Sequence, residues 1–245
     1  MLDFIGTVAL VASIIVSLDT ILGVMPISTA QRIGLSLIVG LWIGLAAALA
    51  GANLFVGANP AGPALIGGVI AAPLVLTALA AALVPSVRAT LLAMPMPLLI
   101  DLNVWRIGGG FFLLLAIDGR LGGPFPQSAG WGDVITGVFA LPVAWLALRG
   151  YSRLIVGAWN AFGTLDLVAA IALGVTSANG SPLQLIHAGA GSAAVQVLPW
   201  SLIPTVLVPM FLIVHGVIFA QLRAKSARAS AVRFNHYRPQ TPSTD

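Results

Sequence analysis

Residues 33–55 read IGLSLIVGLWIGLAAALAGANLF, a run of 23 residues without a charged side chain. A transmembrane helix needs about 20 mostly apolar residues to cross the hydrocarbon core of a bilayer. Buried helices of soluble domains seldom carry so long an uninterrupted apolar run, because one of their faces usually meets water. We therefore predict that residues 33–55 span a membrane as one helix.

Six further runs of this kind predict an all-α bundle of seven transmembrane helices. They are residues 4–24, 63–84, 97–117, 131–149, 154–175 and 201–222. Proline, glycine and asparagine separate the runs, as expected at helix ends and turns. The longest predicted connections are residues 118–130 and 176–200. We expect the second to contain a short interfacial helix, with Trp200 as an aromatic anchor.

The composition excludes several classes of protein. Of the 245 residues, 59% are hydrophobic and 7% are charged, whereas an average soluble domain is about 25% charged. Eleven basic and seven acidic side chains cannot cover the surface of a water-soluble protein of this size. This excludes a cytosolic enzyme, a nucleic-acid-binding domain and a disordered chain. We expect the lipid bilayer to surround the protein, and no nucleic acid as a partner.

The basic residues lie almost entirely on one side of the seven predicted spans. Nine of them belong to that side: Arg32, Arg88, Arg149, Arg153, Arg223, Lys225, Arg228, Arg233 and Arg238. The opposite side holds Arg120 alone, next to Asp118. Because cytoplasmic loops carry the excess of Lys and Arg, this pattern predicts an N-out, C-in membrane protein. We divide it into a transmembrane domain, residues 1–222, and a basic, flexible cytoplasmic tail, residues 223–245.

Some kinds of chemistry lack the residues that they require. The absence of cysteine excludes disulfides, thiolate metal sites and thiol nucleophiles. His215 lies in the last predicted span, whereas His187 and His236 lie in a loop and in the tail. A haem with two histidine ligands is therefore not expected, and a zinc site lacks clustered ligands. We expect neither a cofactor nor a metal ion.

Polar side chains inside the predicted spans are the candidate functional residues, because ionisable groups are costly at membrane depth. Counted along the spans, Arg106 and Asp166 lie near the membrane centre. Four more residues in the inner half complete the predicted buried polar site: Asp101, Asn103, Asn160 and His215. Asp19 lies close enough to the inner interface to be solvated.

Arg106 is expected to form an ion pair with Asp166 on another helix. Asp101 is five residues from Arg106 and so lies on a different helix face. The acids Asp19, Asp101 and Asp166 outnumber this fixed cation, so we expect at least one acid to hold a proton or a bound cation. The site therefore favours a transporter- or channel-like membrane protein without enzymatic activity.

Two alternatives remain open for the same residues. In the first, the polar network only stabilises helix packing in an accessory or structural subunit of a larger membrane complex. Other membrane subunits would then be the partners, and Gly40-x3-Gly44 offers a face for a homodimer. In the second, Gly130-x-Gly132-Asp133 is the G-x-G-D motif of intramembrane aspartyl proteases.

We rank the protease third, because its chemistry needs two neighbouring aspartates. Asp133 lies at the outer end of the fifth predicted span and Asp166 lies deeper. The stretch Pro63-Ala64-Leu65 matches the P-A-L of those proteases, but it precedes the G-x-G-D motif instead of following it. We expect Gly130 and Gly132 to shape the loop that enters the helix.

One group of motifs extends over roughly residues 101–222. The motifs are Trp159-Asn160-x2-Gly163-x2-Asp166-Leu167, the G-x-G-D at 130–133, Arg106 followed by Gly108, and Pro204-x4-Pro209 before His215. Together they resemble an uncharacterised group of bacterial seven-helix integral membrane proteins. The resemblance implies the fold and an inner-membrane location, and it implies no activity.

Overall fold

The computed structural model describes residues 1–150 and 153–236, the last twelve of them by their backbone alone. Within these residues there are α-helices and shorter helical turns and no β-strand. The α-helices are α1 (Leu2–Val24), α2 (Thr29–Gly51), α3 (Gly62–Leu83), α4 (Pro85–Ala93), α5 (Met96–Asp101), α6 (Gly110–Ile117), α7 (Phe125–Leu148), α8 (Arg153–Thr176) and α9 (Val208–His236).

Seven segments in the described part of the chain are long and apolar enough to cross a membrane. They are α1, α2, α3, the fourth span Met96–Ile117, α7, α8 and the seventh span Ile203–Ala224. The prediction of seven apolar spans is confirmed, and the chain has the architecture of a multi-pass membrane protein. The last helix continues to His236, so the predicted tail is helical over residues 223–236, and residues 237–245 lie outside the described residues.

The fifth span begins earlier than predicted, at Phe125 instead of residue 131. The missed signal is Pro126 in the first turn of α7, where a proline fits because the first N–H groups of a helix have no partner within it. The predicted loop 118–130 therefore ends at residue 124. Gly130 and Gly132 lie inside α7, so the expectation that they shape a loop is wrong.

The fourth span changes its winding in the middle. Between α5 and α6, the eight residues Leu102–Gly109 form a 3-10 helix, whereas runs longer than three or four residues are uncommon. Three residues turn this helix once, and Asn103, Arg106 and Gly109 are all buried at that spacing. The segment faces α7 closely, because a Cβ at Gly137 would lie 2.7 Å from the backbone nitrogen of Ile107.

Two apolar clusters occupy the two ends of the bundle. The first includes Leu115, Leu167 and Trp200, and the second includes Leu99 and Ile218. Each of the last four spans contributes to both clusters, and in the fourth, fifth and sixth spans the buried side chains of Asn103, Arg106, Asp133 and Asn160 lie along the chain between the two contributions. The polar layer is thus closed above and below by apolar packing.

The connections at the end of the bundle where α1 begins are held by specific contacts. Asp3 accepts hydrogen bonds from Arg120 and from the indole of Trp200, both at 2.7 Å. Trp200 is fully buried, so the prediction that it anchors an interfacial helix is wrong. The segment before it is irregular apart from the short 3-10 helix Ala193–Gln196. Its polar groups bond locally and to residues 57 and 122.

Candidate functional site

The side chain of Arg106 is completely buried at the centre of the 3-10 segment and joins four spans. Its Nε donates to Oδ1 of Asp133 in α7 at 2.7 Å, and its Nη2 donates to Oδ2 of Asp166 in α8 at 2.5 Å. Its Nη1 donates to the carbonyl oxygen of Gly163 at 3.1 Å and lies 3.0 Å from Nε2 of His215 in α9. Multiple charge-assisted contacts of this kind fix a guanidinium in one orientation.

The contact with Arg106 also determines the state of His215. Since a guanidinium can only donate, Nε2 of His215 must accept, and the proton of the neutral ring is on Nδ1. Nδ1 then donates to Oδ1 of Asn160 at 2.7 Å, while Nδ2 of Asn160 donates to the backbone carbonyl of His215 at 3.1 Å. We call Arg106, Asp133, Asp166, Asn160 and His215 the Arg106 network.

Glycines leave the space that the network fills. A Cβ at Gly132 would overlap Oδ1 of Asp166, and a Cβ at Gly163 would lie 2.7 Å from Cε1 of His215. Distances below 3.0 Å would force the neighbouring side chain to move. Gly132 and Gly163 therefore make room for the acidic and the histidine side of the network respectively.

The structure brings together four of the six predicted site residues: Arg106, Asp166, Asn160 and His215. Asn103 is buried, but its amide donates to the backbone carbonyls of Leu99 and Ile100, one turn earlier in its own span. Its Oδ1 has no hydrogen-bond partner among the described residues.

Asp101 is half-buried, and no hydrogen bond or ion pair joins it to the Arg106 network among the described residues. Counting depth grouped it with Arg106, but its position around the helix axis turns it away. Asp19 is exposed on α1, on the part of the chain that contributes no member of the network.

Asp133 is the network member that sequence reasoning missed. Because α7 begins at Phe125, Asp133 lies eight residues inside the helix, about 12 Å from its start at 1.5 Å per residue. The expectation that Asp133 lies at the end of the span and apart from Asp166 is wrong, since both carboxylates meet the same guanidinium. Within the G-x-G-D stretch, Gly132 leaves the space that the Asp166 carboxylate occupies, and so allows both carboxylates to reach Arg106.

Asp133 and Asp166 differ from a proteolytic pair in their geometry. In aspartyl proteases two carboxyl groups share one proton directly. Here each carboxylate binds a different nitrogen of Arg106, and within the described residues no hydrogen bond joins one carboxylate to the other.

Two cavities adjoin the network, and Asp133 lines both. The larger, about 360 Å³, lies beside Arg106 between α1, the 3-10 segment and the seventh span. The smaller, about 70 Å³, extends from Asp133 to Gly57 and Gln196 in the connections at the Asp3 end. Apolar side chains form most of the walls of both. Asp133 keeps 12% of its side chain exposed, whereas the side chain of Arg106 keeps none.

Comparison with known proteins gives one match. No curated protein and no solved structure matches the chain. A family model does match residues 63–223, which include every member of the Arg106 network and the third to seventh spans apart from one residue at each end, Gly62 and Ala224. The match agrees with the resemblance to an uncharacterised family over residues 101–222. Since it covers well over half of the chain, the protein belongs to the family described as a domain of unknown function (DUF8737).

Proposed function

We propose that the protein is a small, non-enzymatic, transporter- or channel-like membrane protein whose Arg106 network holds a proton or a cation. The observation that supports this is the charge balance of the buried site. One guanidinium faces two carboxylates, and the neighbouring histidine is neutral by its hydrogen bonds. With both carboxylates ionised, the network carries a formal charge of −1.

An uncompensated charge inside a membrane is costly, about 2.5–3.5 kcal/mol even on the mildest insertion scales. A network that served packing alone would be most stable with one carboxylate for one guanidinium. The second carboxylate is neutralised when it takes a proton or binds a cation. A cavity of about 360 Å³ adjoins the network and offers room for such a charge.

Infrared spectroscopy of the full chain in lipid tests the proton form of this proposal. We expect a carboxyl C=O band that appears and disappears as the pH is changed over the range in which the protein stays folded. Asp166→Asn or Asp133→Asn should remove or shift this band, and Asp3→Asn, which affects an aspartate outside the network, should not. A wild-type protein with no titrating band, or a band unchanged in both network variants, would contradict proton linkage.

A flux measurement tests the transport step. Vesicles that contain the protein and a pH-sensitive dye should acidify or alkalise faster than empty vesicles when a potassium diffusion potential is imposed. Asp166→Asn should reduce the rate to that of empty vesicles, because the remaining guanidinium–carboxylate pair has no charge to exchange. A wild-type rate equal to the empty-vesicle rate would argue against a channel-like function.

The proposed location is a bacterial plasma membrane, with the N-terminus outside and the C-terminus inside. The distribution of basic residues supports this orientation. Single cysteines are easily interpreted in a chain that has none. Cysteines replacing Ala58 and His187 should react with an impermeant reagent from outside, and those replacing Ser86 and Ser226 only after lysis. Outside labelling at position 226 would contradict the proposed orientation.

An accessory subunit is the second candidate, and the packing of α2 and α3 favours it. Each buries 11% of its most apolar stretch, and α2 exposes Leu37, Leu41 and Leu45. Purification from the native membrane in a gentle detergent distinguishes the two candidates. Stoichiometric co-purification of another membrane protein, together with an inactive flux assay, would favour the subunit.

A further inference from the structure

We propose that the larger cavity beside Arg106 is a binding site for a small organic monocation, an ammonium group on an apolar body. We call it the Asp133 cavity, after the carboxylate that lines it. The inference rests on the proposed function, because it takes the excess negative charge of the Arg106 network as the feature that recognises the ligand.

The size and walls of the Asp133 cavity fit an organic molecule better than a bare ion. Its volume of about 360 Å³ lies within the range of small-molecule sites, about 300–1,000 Å³. Leu10, Phe111, Leu207 and Phe211 line it. A hydrated metal ion would find few oxygen ligands there, whereas apolar and aromatic walls accommodate a hydrocarbon body. Aromatic faces also attract cations.

The polar groups of the cavity select the sign of the charge. Asp133 uses Oδ1 to bind Arg106, and its Oδ2 has no hydrogen-bond partner among the described residues. The guanidinium, by contrast, already binds two carboxylates, a carbonyl and a histidine. An anion would have to compete for Arg106 and would add to the negative charge. An ammonium group would donate to Oδ2 of Asp133 and bring the formal charge of the network to zero.

A second acceptor lines the same cavity. Ser13 of α1 lines the cavity and donates its hydroxyl proton to the carbonyl of Leu10 at 2.8 Å. The oxygen of that hydroxyl therefore remains free to accept, as an ammonium ligand with more than one N–H requires.

The test compares three molecules of nearly the same shape and different charge. The full chain in lipid nanodiscs is dialysed against labelled 2-phenylethylamine, which is an ammonium ion at neutral pH, 2-phenylethanol and 3-phenylpropionate. Empty nanodiscs correct for partition into lipid. We expect the amine to bind at least about tenfold more tightly than the alcohol, the gain of one charge-assisted hydrogen bond, and the carboxylate to bind most weakly.

Two variants locate the binding. Asp133→Asn should lower the affinity for the amine by about tenfold, while the control Asp3→Asn should leave it unchanged. Ala9→Leu fills part of the cavity from α1, at a residue that is not a member of the Arg106 network. It should abolish amine binding even if Asp133→Asn fails to fold, and it should leave the infrared carboxyl band in place.

The outcomes separate this inference from the proposed function. Equal binding of alcohol and amine, preferred binding of the carboxylate, or amine binding that survives Ala9→Leu would each overturn the monocation site. A titrating carboxyl band without amine binding would overturn this inference and leave the proposed function standing. Amine binding at Asp133 without a titrating band would support the cation form of the proposed function and contradict its proton form.

Discussion

The first three spans and the last four of this chain pack in different ways. Of their most apolar stretches, α1, α2 and α3 bury 28%, 11% and 11%, whereas the fourth to seventh spans bury 44%, 39%, 28% and 67%. The network residues all lie in the last four spans, and the first three contribute none. Lipid solvates apolar helices as well as protein does, so close packing in a membrane depends on small residues and polar contacts. Here α2 and α3, which contribute no residue to the network, are the least buried of the seven spans.

The attachment of α2 illustrates the looser region. Trp42 of α2 donates its indole N–H to the backbone carbonyl of Thr205 at 3.3 Å. That carbonyl lacks its usual helical donor, because the residue four positions later is Pro209, which has no N–H. A proline in the closely packed region thus supplies an acceptor for the loosely packed one. The family match begins at residue 63 and excludes α1 and α2.

The largest expected effect comes from removing both acids of the network. The double variant that combines Asp133→Asn and Asp166→Asn leaves Arg106 buried without a counter-ion. Such a loss typically lowers the free energy of unfolding by about 3–5 kcal/mol. Each single variant retains one carboxylate, so the double variant should cost more than the sum of the two. Unfolding by denaturing detergent in mixed micelles measures this. Asp19→Asn, at an exposed aspartate of α1, is the control. Strictly additive single effects would show that the carboxylates do not share Arg106.

A comparison of two apolar truncations comes next. Ile218→Ala, at a fully buried residue of α9, should cost about 2–4 kcal/mol because it leaves a cavity. Leu41→Ala, at a residue of α2 that is 75% exposed, should change the free energy of unfolding by less than about 0.5 kcal/mol. The same unfolding assay gives both values. Equal costs would mean that α2 is covered as completely as α9, for example by a second subunit.

Substitutions of two glycines, one in each region, test the same difference in packing. Gly132→Ala places a methyl group against the carboxylate of Asp166 and should destabilise the fold by about 1–3 kcal/mol through overpacking. Gly40→Ala adds the same methyl group on α2, where nothing lies within 4 Å, and should be neutral or slightly stabilising. If Gly40→Ala proves as harmful as Gly132→Ala, the α2 face has a partner in the membrane.

The smallest effect is expected at the contact between the two regions. Arg120→Ala removes the ion pair with Asp3, whose side chains are 32% and 55% exposed. Solvent screens such a pair, so the loss should be below about 1 kcal/mol and should decrease at high salt. Unfolding measured at two salt concentrations checks this. A large, salt-independent loss would instead point to the buried indole of Trp200 as the group that depends on Asp3.

The seven spans could be predicted from sequence because length and apolar composition decide them. The site could be predicted only in part. Depth along a span identified Arg106 and Asp166, but it also selected Asp101, although the spacing of five residues already placed Asp101 on a different helix face from Arg106. The direction in which the side chains of the fourth span point also depends on how that span is wound. No sequence pattern predicted its 3-10 segment.

Asp133 was missed for a different reason. An error of six residues in the start of one helix moved it from two turns inside the span to its edge. Prolines at 124 and 126 suggested a loop, although a proline in a first turn is equally consistent with the beginning of a helix. The depth of a residue in a membrane helix is counted from the helix ends, so an error in an assigned end gives an equal error in the depth.

The 3-10 segment also makes the fourth span longer than an α-helix with the same number of residues. A 3-10 helix rises about 2.0 Å per residue and an α-helix about 1.5 Å, so eight residues in the α form would be about 4 Å shorter. The same change of winding would rotate α6 against α5 by about 160°, since the turn per residue falls from about 120° to about 100°. Arg106 lies near the middle of this segment. Such a rewinding would therefore move the guanidinium away from its carboxylates, and it would also turn Phe112 and Leu115 of α6 out of the first apolar cluster.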